Sequence, residues 1–495
     1  MITSYQFVSD PESSIEVPQA ELSPPYSIFV SRQKLAIITL ASIGAAFSGL
    51  AGNIYFPAIP ILSRSLNTTP ELINLTVTSY MIMQGLSPTI WGALSDVHGR
   101  KITYLCTFTV FIGACIGLAE TQTFAQLVVL RCLQSAGSAS TIAVGAGVMG
   151  DITTREERGG YMGYFQAGNL VPVALAPVLG GIFAQTVGWR AIFWFLAAFG
   201  GTYLILETLL LPETLRSIVG NGSLPTKGIQ NSVLKYIHRR RHPELFEPEK
   251  TQHSLVQAPK AKTVDFLGPI KILFAQESIL IIIFLSLYYT AWQMIITCMS
   301  TLFSDTYHLT EIQIGLTFLG NGFGSIVGTL TTGKLLDLHY RRVKNAYSGP
   351  PEDFPLEQAR FRLLYAFSLL EIAAVITFGW TLDKGVHISV PIICTFALGW
   401  AVISIYSVIA TYMVDVWTKQ SASGTAALNL SRCLIGSGGT AAILPIVRAV
   451  GVGWAFTICT GVLVLSLGLV VVQMRWGGKW RRKREKKAME SEGSA

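Results

Sequence analysis

Four ionisable side chains lie inside long apolar stretches of this sequence, where they could move protons or bind an anion. Glu207 and Glu371 could take up and release a proton, and Arg131 and Arg432 carry positive charge. A charge deep in a membrane span costs roughly 2.5–3.5 kcal/mol on insertion scales, so such a residue is expected to face a partner or a water-filled cavity. The two carboxyls are therefore candidates for proton coupling, with Arg131 as a modulator. A structural ion pair or a paired structural carboxylate is the competing interpretation.

Polar and small residues in neighbouring apolar stretches complete a candidate cavity. Asn53 and Tyr55 stand at the outer end of the first stretch, where they could face a cavity or satisfy the helix end and anchor it at the interface. Glycine and proline in the fifth stretch allow close helix approach and open the backbone hydrogen-bond ladder. The predicted coupling and substrate set comprises Asn53, Tyr55, Arg131, Gln134, Asn169, Pro177, Gly180, Gly181, Glu207, Glu371, Asn429 and Arg432.

The apolar stretches that carry these residues make up most of the chain. Of its 495 residues 51% are hydrophobic and only 13% are charged, against about 25% charged in an ordinary soluble domain. Runs of roughly 20 apolar residues predict about twelve membrane-spanning helices and an all-α membrane protein. The predicted spans lie near 35–57, 72–94, 102–119, 124–147, 160–185, 191–211, 278–303, 312–336, 361–382, 388–413, 421–446 and 454–473.

The distribution of basic residues fixes the predicted orientation. Most Lys and Arg fall on segments that share one side of the membrane, and the other side holds four, namely Arg64, Arg190, Lys384 and Arg448. Basic residues concentrate in cytoplasmic loops, so both termini are expected in the cytoplasm. The net charge of +8 therefore reflects membrane topology and not a folded domain that binds nucleic acid.

The spans divide the chain into five predicted regions. Residues 1–34 are polar and proline-bearing and are expected to form a disordered cytoplasmic tail. Residues 35–211 and 278–473 are expected to form two six-helix bundles. Residues 212–277 would link them in the cytoplasm, and residues 474–495 would form a basic cytoplasmic tail.

Neither metal nor enzyme chemistry is indicated by the sequence. All seven cysteines fall inside predicted spans without a Cys-x-x-Cys or Cys/His cluster, so they are interpreted as small apolar packing residues. No nucleophile–base pair or phosphate loop stands out. We therefore expect no cofactor, and the family resemblance described below implies a proton gradient as the energy source. Asn67 begins a glycosylation sequon in the first outer loop.

A charged turn between the second and third spans is the most specific motif in the chain. It runs from Gly92 to Lys101, with an apolar run on each side. Gly99 can adopt the positive φ of a tight turn. Asp96 lies four residues before Arg100, close enough to pair with it or with a neighbouring helix end.

The same pattern returns in the second half of the chain, with Asp337 and Arg341 at the offsets of Asp96 and Arg100. A second correspondence aligns Asp151 and the later Gly188-Trp189 pair with Asp415 and the later Gly453-Trp454 pair. Residues 343–360 are predicted to form a longer cytoplasmic loop that changes the spacing of the repeat. Internal repeats in an apolar chain indicate a secondary transporter.

The motif at 92–101 resembles the signature between helices 2 and 3 of the major facilitator superfamily. Residues 130–137 resemble its helix-4 signature, in which arginine is linked to proton coupling. Residues 168–181 resemble the helix-5 signature of its antiporters, and 211–216 its usual sixth-span ending. The chain resembles fungal twelve-span drug:proton antiporters of the quinidine-resistance-like branch at 53–57, 150–159, 319–324 and 421–434.

The resemblance implies the major facilitator fold, with two pseudo-symmetric six-helix bundles around a cavity open alternately to each side. The Asp96 and Asp337 loops would clasp the bundles on the cytoplasmic face. The residues assigned to gating are Gly92, Asp96, Gly99, Arg100, Lys101, Asp151, Arg158, Glu213, Arg216, Asp337 and Arg341.

The implied function is export of a drug-like compound or secondary metabolite by proton antiport, by a monomer in the plasma membrane or the vacuolar membrane. An organic-acid exporter is the alternative, and a non-transporting membrane sensor is the alternative of another class. An anion site needs cations or helix N-termini. The fifth span offers no positive charge, which favours neutral or cationic amphiphiles, although Arg131 and Arg432 could serve an anion.

Overall fold

Long helices account for nearly all of the computed structural model. It describes residues 26–154, 157–224, 228–233, 236–237, 240, 267–349, 354–417 and 420–492. A few side chains within these ranges, those of Arg158 and Asn169 among them, lie outside the description. The predicted gating role of Arg158 and the predicted cavity role of Asn169 therefore fall outside the described residues.

The helices of the first half begin with α1. They are α1 (Ser31–Asn53), α2 (Ile59–Ser65), α3 (Pro70–His98), α4 (Arg100–Ala119), α5 (Phe124–Ser138), α6 (Ser140–Ile152), α7 (Arg158–Thr186), α8 (Arg190–Leu210) and α9 (Arg216–Val219). Those of the second half are α10 (Gly268–Leu273), α11 (Gln276–Tyr307), α12 (Glu311–Ala346), α13 (Leu356–Asp383), α14 (Ser389–Val416), α15 (Ser421–Val450) and α16 (Val452–Glu492).

Eleven helices of the described part are long and apolar enough to cross a membrane, with α1–α2 and α5–α6 each forming one crossing. The helix α3 completes a set of twelve. It has 29 residues, enough for a span. Its apolar character is weaker because its sequence carries residues such as Asn74, Thr76 and Gln84. The predicted all-α architecture is confirmed.

Each half is built mainly from contacts among its own helices. In the first half α1 packs on α6 and α7, and α4 packs on α5 and α8. In the second half α14 packs on α12 and α13, while α16 packs on α11 and α13. Two helix pairs join the halves most extensively, α3 with α15 and α7 with α12.

The described contacts between the halves run from the middle of the helices to the ends that the sequence predicts to lie on the outer side. Glu71 on α3 pairs with Arg448 at the outer end of α15, and the ring of Phe56 stacks on that of Phe318, 5.9 Å between centroids. Near the cytoplasmic ends, a Cβ added to Gly92 would meet no atom within 4 Å. The halves therefore contact each other along the side that the sequence predicts to be the outer one.

Several helices extend beyond the predicted spans. The helix α3 continues to His98, so Gly92 and Asp96 are helical and the turn is Gly99 alone, at φ +107°. The prediction of a ten-residue turn was wrong in its extent. Hydropathy marks only the part of a helix buried in the bilayer, and polar turns of helix can continue into the cytoplasm.

The second-half motif is helical as well. Asp337 and Arg341 lie within α12, which ends at Ala346, and α13 begins at Leu356. The long loop predicted at 343–360 is thus wrong at both ends. The region predicted as a tail, 474–495, continues α16 as far as Glu492.

Candidate functional site

Arg432 lies on α15 at the junction of the two halves and is partly exposed. Its guanidinium carbon stands 4.7 Å from the ring centre of Tyr289 and 5.4 Å from that of Tyr406. Its Nε and Nη2 donate to Asn429 Oδ1 at 3.2 and 2.8 Å. Two aromatic faces and an amide therefore hold the cation, and its Nη1 donates no hydrogen bond within the described residues.

Asn429 links the Arg432 site to the other half of the molecule. Its side-chain Nδ2 donates to the Gln84 carbonyl oxygen on α3 at 3.1 Å. One turn outward, an added Cβ at Gly85 would stand 3.0 Å from Cys433 Cβ, so the two helices touch there. A ligand at Arg432 would lie beside a contact that must separate when the halves move apart.

Arg131 lies wholly inside the first half, and 1% of the residue is exposed. Its guanidinium carbon stands between the rings of Tyr55 and Tyr80, at 4.2 and 4.3 Å from their centres. Its Nη1 donates to Gln134 Oε1 at 2.6 Å and to the Ala51 carbonyl oxygen at 3.2 Å. A desolvated cation–π contact is worth about 2 kcal/mol or more. The structure brings the predicted residues Tyr55, Gln134 and Arg131 into contact with one another. They pack together inside the first half.

No carboxylate of the described residues pairs with Arg131 or Arg432. Glu207 on α8 and Glu371 on α13 are both fully buried, and their carboxylate oxygens have no hydrogen-bond partner in the described part. Glu207 faces the positive charge of Lys101 within the first half. Glu371 lies beside Tyr288 within the second. Neither acid lies at the junction that holds Arg432, so their coupling role stays a prediction.

The ends of α3, α4 and α6 that the sequence predicts to be cytoplasmic meet in an ion cluster. Arg100 Nε donates to Asp151 Oδ2 at 2.9 Å, and its Nη1 donates to Asp96 Oδ1 at 2.6 Å. Gly147 gives the guanidinium room, because an added Cβ there would stand 2.7 Å from Arg100 Cζ. The cluster ties together helices of one half.

Glu213 caps the first turn of α4. Its carboxylate accepts the backbone N–H groups of Arg100 at 2.9 Å and Lys101 at 3.2 Å. A carboxylate at a helix N-terminus satisfies free N–H groups and complements the helix dipole. Lys101 Nζ in turn donates to the Thr208 carbonyl oxygen at 2.7 Å and so binds α4 to α8. Arg216 packs its guanidinium over Tyr26, 3.9 Å from the ring centre.

The equivalent ion pair of the second half uses an arginine that the sequence motif does not contain. Arg360 donates to Asp415 Oδ2 from Nε at 2.9 Å and stacks on Tyr340 at 4.4 Å. Asp337 and Arg341 are exposed, and neither forms an ion pair with the described residues. The clasp between the Asp96 and Asp337 segments is thus not formed in this conformation, and its role stays a prediction.

The glycines and proline of α7 lie at close contacts with neighbouring helices of both halves. An added Cβ at Gly180 would collide with the Ile54 carbonyl oxygen, and one at Gly181 with the Glu311 backbone. The Pro177 carbonyl lies equally close to Gly315 on α12. Asn53 donates to the Gly49 carbonyl oxygen at 2.8 Å, within its own helix. These residues therefore serve helix contact here.

The first outer turn holds the sequon. Asn67 is exposed between α2 and α3 and adopts a positive φ of 50°. Its glycosylation stays a prediction.

At the opposite face, Lys34 Nζ donates to both carboxylate oxygens of Glu157 at 2.8 and 2.9 Å. These hydrogen bonds hold the pKa of Glu157 below its ordinary value.

Three residues that shape the sites were not singled out from the sequence. Tyr80, Tyr289 and Tyr406 lie within apolar spans, where a tyrosine gives no signal that separates packing from cation binding. Only the neighbouring helices show which rings face an arginine.

Known proteins share this sequence and fold. The family model described as Major Facilitator Superfamily matches residues 41–440. "Citrate exporter 1" of Aspergillus niger is 38% identical over 492 residues, 96% of this chain and 92% of that protein. "MFS antiporter QDR2" of Candida albicans is 32% identical over 491 residues, 95% and 96% of the two chains. The solved structure of the human organic anion transporter MFSD10 (TETRAN) has a TM-score of 0.56 at 16% identity, covering 88% of this chain and 99% of that one.

Proposed function

Because the chain belongs to the major facilitator superfamily and is a membrane transporter of small molecules, we propose that it exports small carboxylates from the cytoplasm. One observation carries the proposal. Arg432 is a partly exposed cation at the junction of the halves, without an acidic partner among the described residues. A cation so placed attracts an anion and repels a cationic drug.

The geometry around Arg432 suits a carboxylate. Guanidinium and carboxylate form charge-assisted hydrogen bonds that are roughly twice as strong as neutral ones. Asn429 occupies the Nε and Nη2 donors, and Nη1 stays available to a ligand. The relative "Citrate exporter 1" supports this substrate class. The proposal departs from the preference that the uncharged fifth span suggested.

Export would follow from alternating access. The cavity loads a carboxylate from the cytoplasm while the outer seam is closed. Closure of the cytoplasmic ends and separation of α3 from α15 would then release it outside, breaking the Asn429–Gln84 contact. Uphill export needs a coupling ion, and we assign that role to the proton, in keeping with the antiporter name of the QDR2 relative. We place the protein as a monomer in the plasma membrane, with both termini cytoplasmic.

Export of amphiphilic drugs or secondary metabolites is the second candidate. The aromatic walls favour it, since Tyr289 and Tyr406 would stack on a planar apolar compound as well as on a cation. The QDR2 relative is the comparison that agrees with this candidate.

The test is efflux from cells that express the full chain, loaded in turn with labelled citrate, malate and a panel of fluorescent drugs. We expect release of a carboxylate that a protonophore abolishes and that Arg432→Gln lowers at least tenfold. Lys384→Gln removes one exposed outer charge and is the matched control. Release of drugs alone, unaffected by Arg432→Gln, would contradict the proposal and favour the second candidate.

A further inference from the structure

The helix α16 continues past the predicted span 454–473 and rests on the ends of α11 and α14 in the second half. Gln473 is fully buried, and its Nε2 donates to the Glu277 carbonyl oxygen at 2.8 Å. Beyond it, Arg484 Nη1 donates to Glu277 Oε1 at 2.9 Å, and Arg484 Nη2 donates to the Val416 carbonyl oxygen at 2.8 Å. These contacts fix one face of α16 against the ends of α11 and α14.

A second contact on this helix forms the wall of a cleft. Arg481 Nε donates to Glu357 Oε1 at 3.4 Å, and Arg481 Nη2 donates to the Phe354 carbonyl oxygen at 3.2 Å. Gly477 permits the approach, because an added Cβ would stand 3.3 Å from Glu357 Cγ. Between α16 and the start of α13 there remains a cleft of about 160 Å³, large enough for a phosphate group.

Cations dominate the described lining of this cleft. Arg475, Lys479, Arg481 and Arg482 line it, and the acid among its lining residues is Glu357. That carboxylate is already bound by Arg481 and by the Tyr412 hydroxyl, at 3.4 and 3.3 Å. Arg475 and Lys479 are exposed, one turn of helix apart. The cleft is therefore a positive site and can hold an anion with two or more charges.

The position of the cleft selects where its anion comes from. Its lining residues on α16 begin at Met474, directly after the predicted span 454–473, and two tryptophans lie at the same level of the helix. Trp476 is 40% exposed, and Trp480 follows one turn later. Tryptophan is enriched at the membrane interface. Basic pockets beside spanning helices on the cytoplasmic side bind anionic lipid headgroups, which the negative inner leaflet supplies.

We propose that the cleft between α13 and α16 binds the phosphorylated headgroup of an anionic lipid of the cytoplasmic leaflet. Arg475 and Lys479 would contact the phosphate, and Arg481 would shape the wall while it holds Glu357. The bound lipid would join the start of α13 to α16. This inference does not depend on which solute the transporter exports.

The test uses the purified full chain in detergent and native mass spectrometry, with phosphatidylinositol 4-phosphate as the probe and phosphatidylcholine as the uncharged comparison. We expect R475Q/K479Q to weaken binding of the phosphoinositide roughly 30-fold, about fivefold for each charge removed. The matched control is K483Q/K486Q, which removes two exposed charges from the same helix outside the cleft. It should change binding less than threefold.

Three outcomes would overturn the proposal. The wild type could bind phosphatidylcholine as tightly as the phosphoinositide. The two double variants could lose binding equally, which would mean diffuse attraction to a basic helix. Soluble inositol 1,4-bisphosphate could bind as tightly as the lipid, which would assign the cleft to a free phosphate compound. Thermal unfolding of both variants is measured in parallel, and a midpoint within a few degrees of wild type confirms that the binding change is not loss of fold.

Discussion

The two arginines inside the membrane have similar surroundings and different access. Arg131 and Arg432 each lie near two tyrosine rings and each donate to an amide oxygen three residues away. Arg131 is sealed within one half, whereas Arg432 is partly exposed at the junction of both. Cation–π packing stabilises a positive charge inside the bilayer in both places. Whether that charge can bind a substrate depends on how far the side chain is exposed.

The largest expected effect is the loss of Arg131. Arg131→Ala leaves a cavity between Tyr55 and Tyr80 and removes the partner of Gln134, so we expect the free energy of unfolding to fall by roughly 2–4 kcal/mol. Thermal unfolding of the purified protein measures it. The free energy of unfolding of Arg131→Lys should lie between those of wild type and Arg131→Ala, because lysine keeps the charge and loses the planar stacking. An unchanged unfolding midpoint in Arg131→Ala would contradict a structural role for Arg131.

Arg432→Gln should have the opposite profile. We expect transport of the carboxylate to fall at least tenfold, the loss of one charge-assisted hydrogen bond of about 1.5–3 kcal/mol. The midpoint of thermal unfolding should move less than in Arg131→Ala, because the side chain is only partly buried. Both quantities are measured on one preparation. If Arg432→Gln unfolds as readily as Arg131→Ala, the two arginines would share a structural role.

Asn429→Ala tests how Arg432 is positioned. The change removes the oxygen that accepts from Nε and Nη2 and the donor to Gln84. Each hydrogen bond is worth about 1 kcal/mol, so we expect the KM for carboxylate to rise roughly 5- to 30-fold. Initial-rate kinetics over a range of substrate concentrations measure it. Asn429→Asp would sharpen the result, since an added carboxylate should pair with Arg432 and displace the anion.

The smallest expected effect concerns the aromatic wall. Tyr406→Phe keeps the ring face and should leave the KM for carboxylate within about twofold of wild type. Tyr406→Leu removes the ring and should weaken carboxylate binding by about 0.5–1 kcal/mol. The same kinetic measurement separates them. An equal rise in KM in both variants would mean that the hydroxyl, and not the ring, matters at Arg432.

The sequence indicated the fold and the charges but not their surroundings. The long apolar runs predicted the spans because burial in lipid dominates composition. Arg131 and Arg432 stood out because a charge in such a span is rare. Tyr289 and Tyr406 did not, because their role depends on which helices adjoin α15, and single-sequence spacing contains no such information.

The motif copies show the limit of pattern matching in a different way. Arg100 was found from its motif, and its ion pair with Asp151 is present. The second copy directed attention to Asp337 and Arg341, whereas the structure pairs Asp415 with Arg360, at the start of the next helix. The repeat conserves a contact in space, and the arginine that makes it lies at a different position along the chain.

Equilibrium binding of a labelled tricarboxylate to the purified full chain tests the central claim most directly. The measurement compares wild type with Arg432→Gln and with Lys384→Gln, at one salt concentration. We predict that wild type and Lys384→Gln bind with the same Kd within twofold and that Arg432→Gln binds at least tenfold more weakly. Equal binding by all three proteins would contradict a carboxylate site at Arg432.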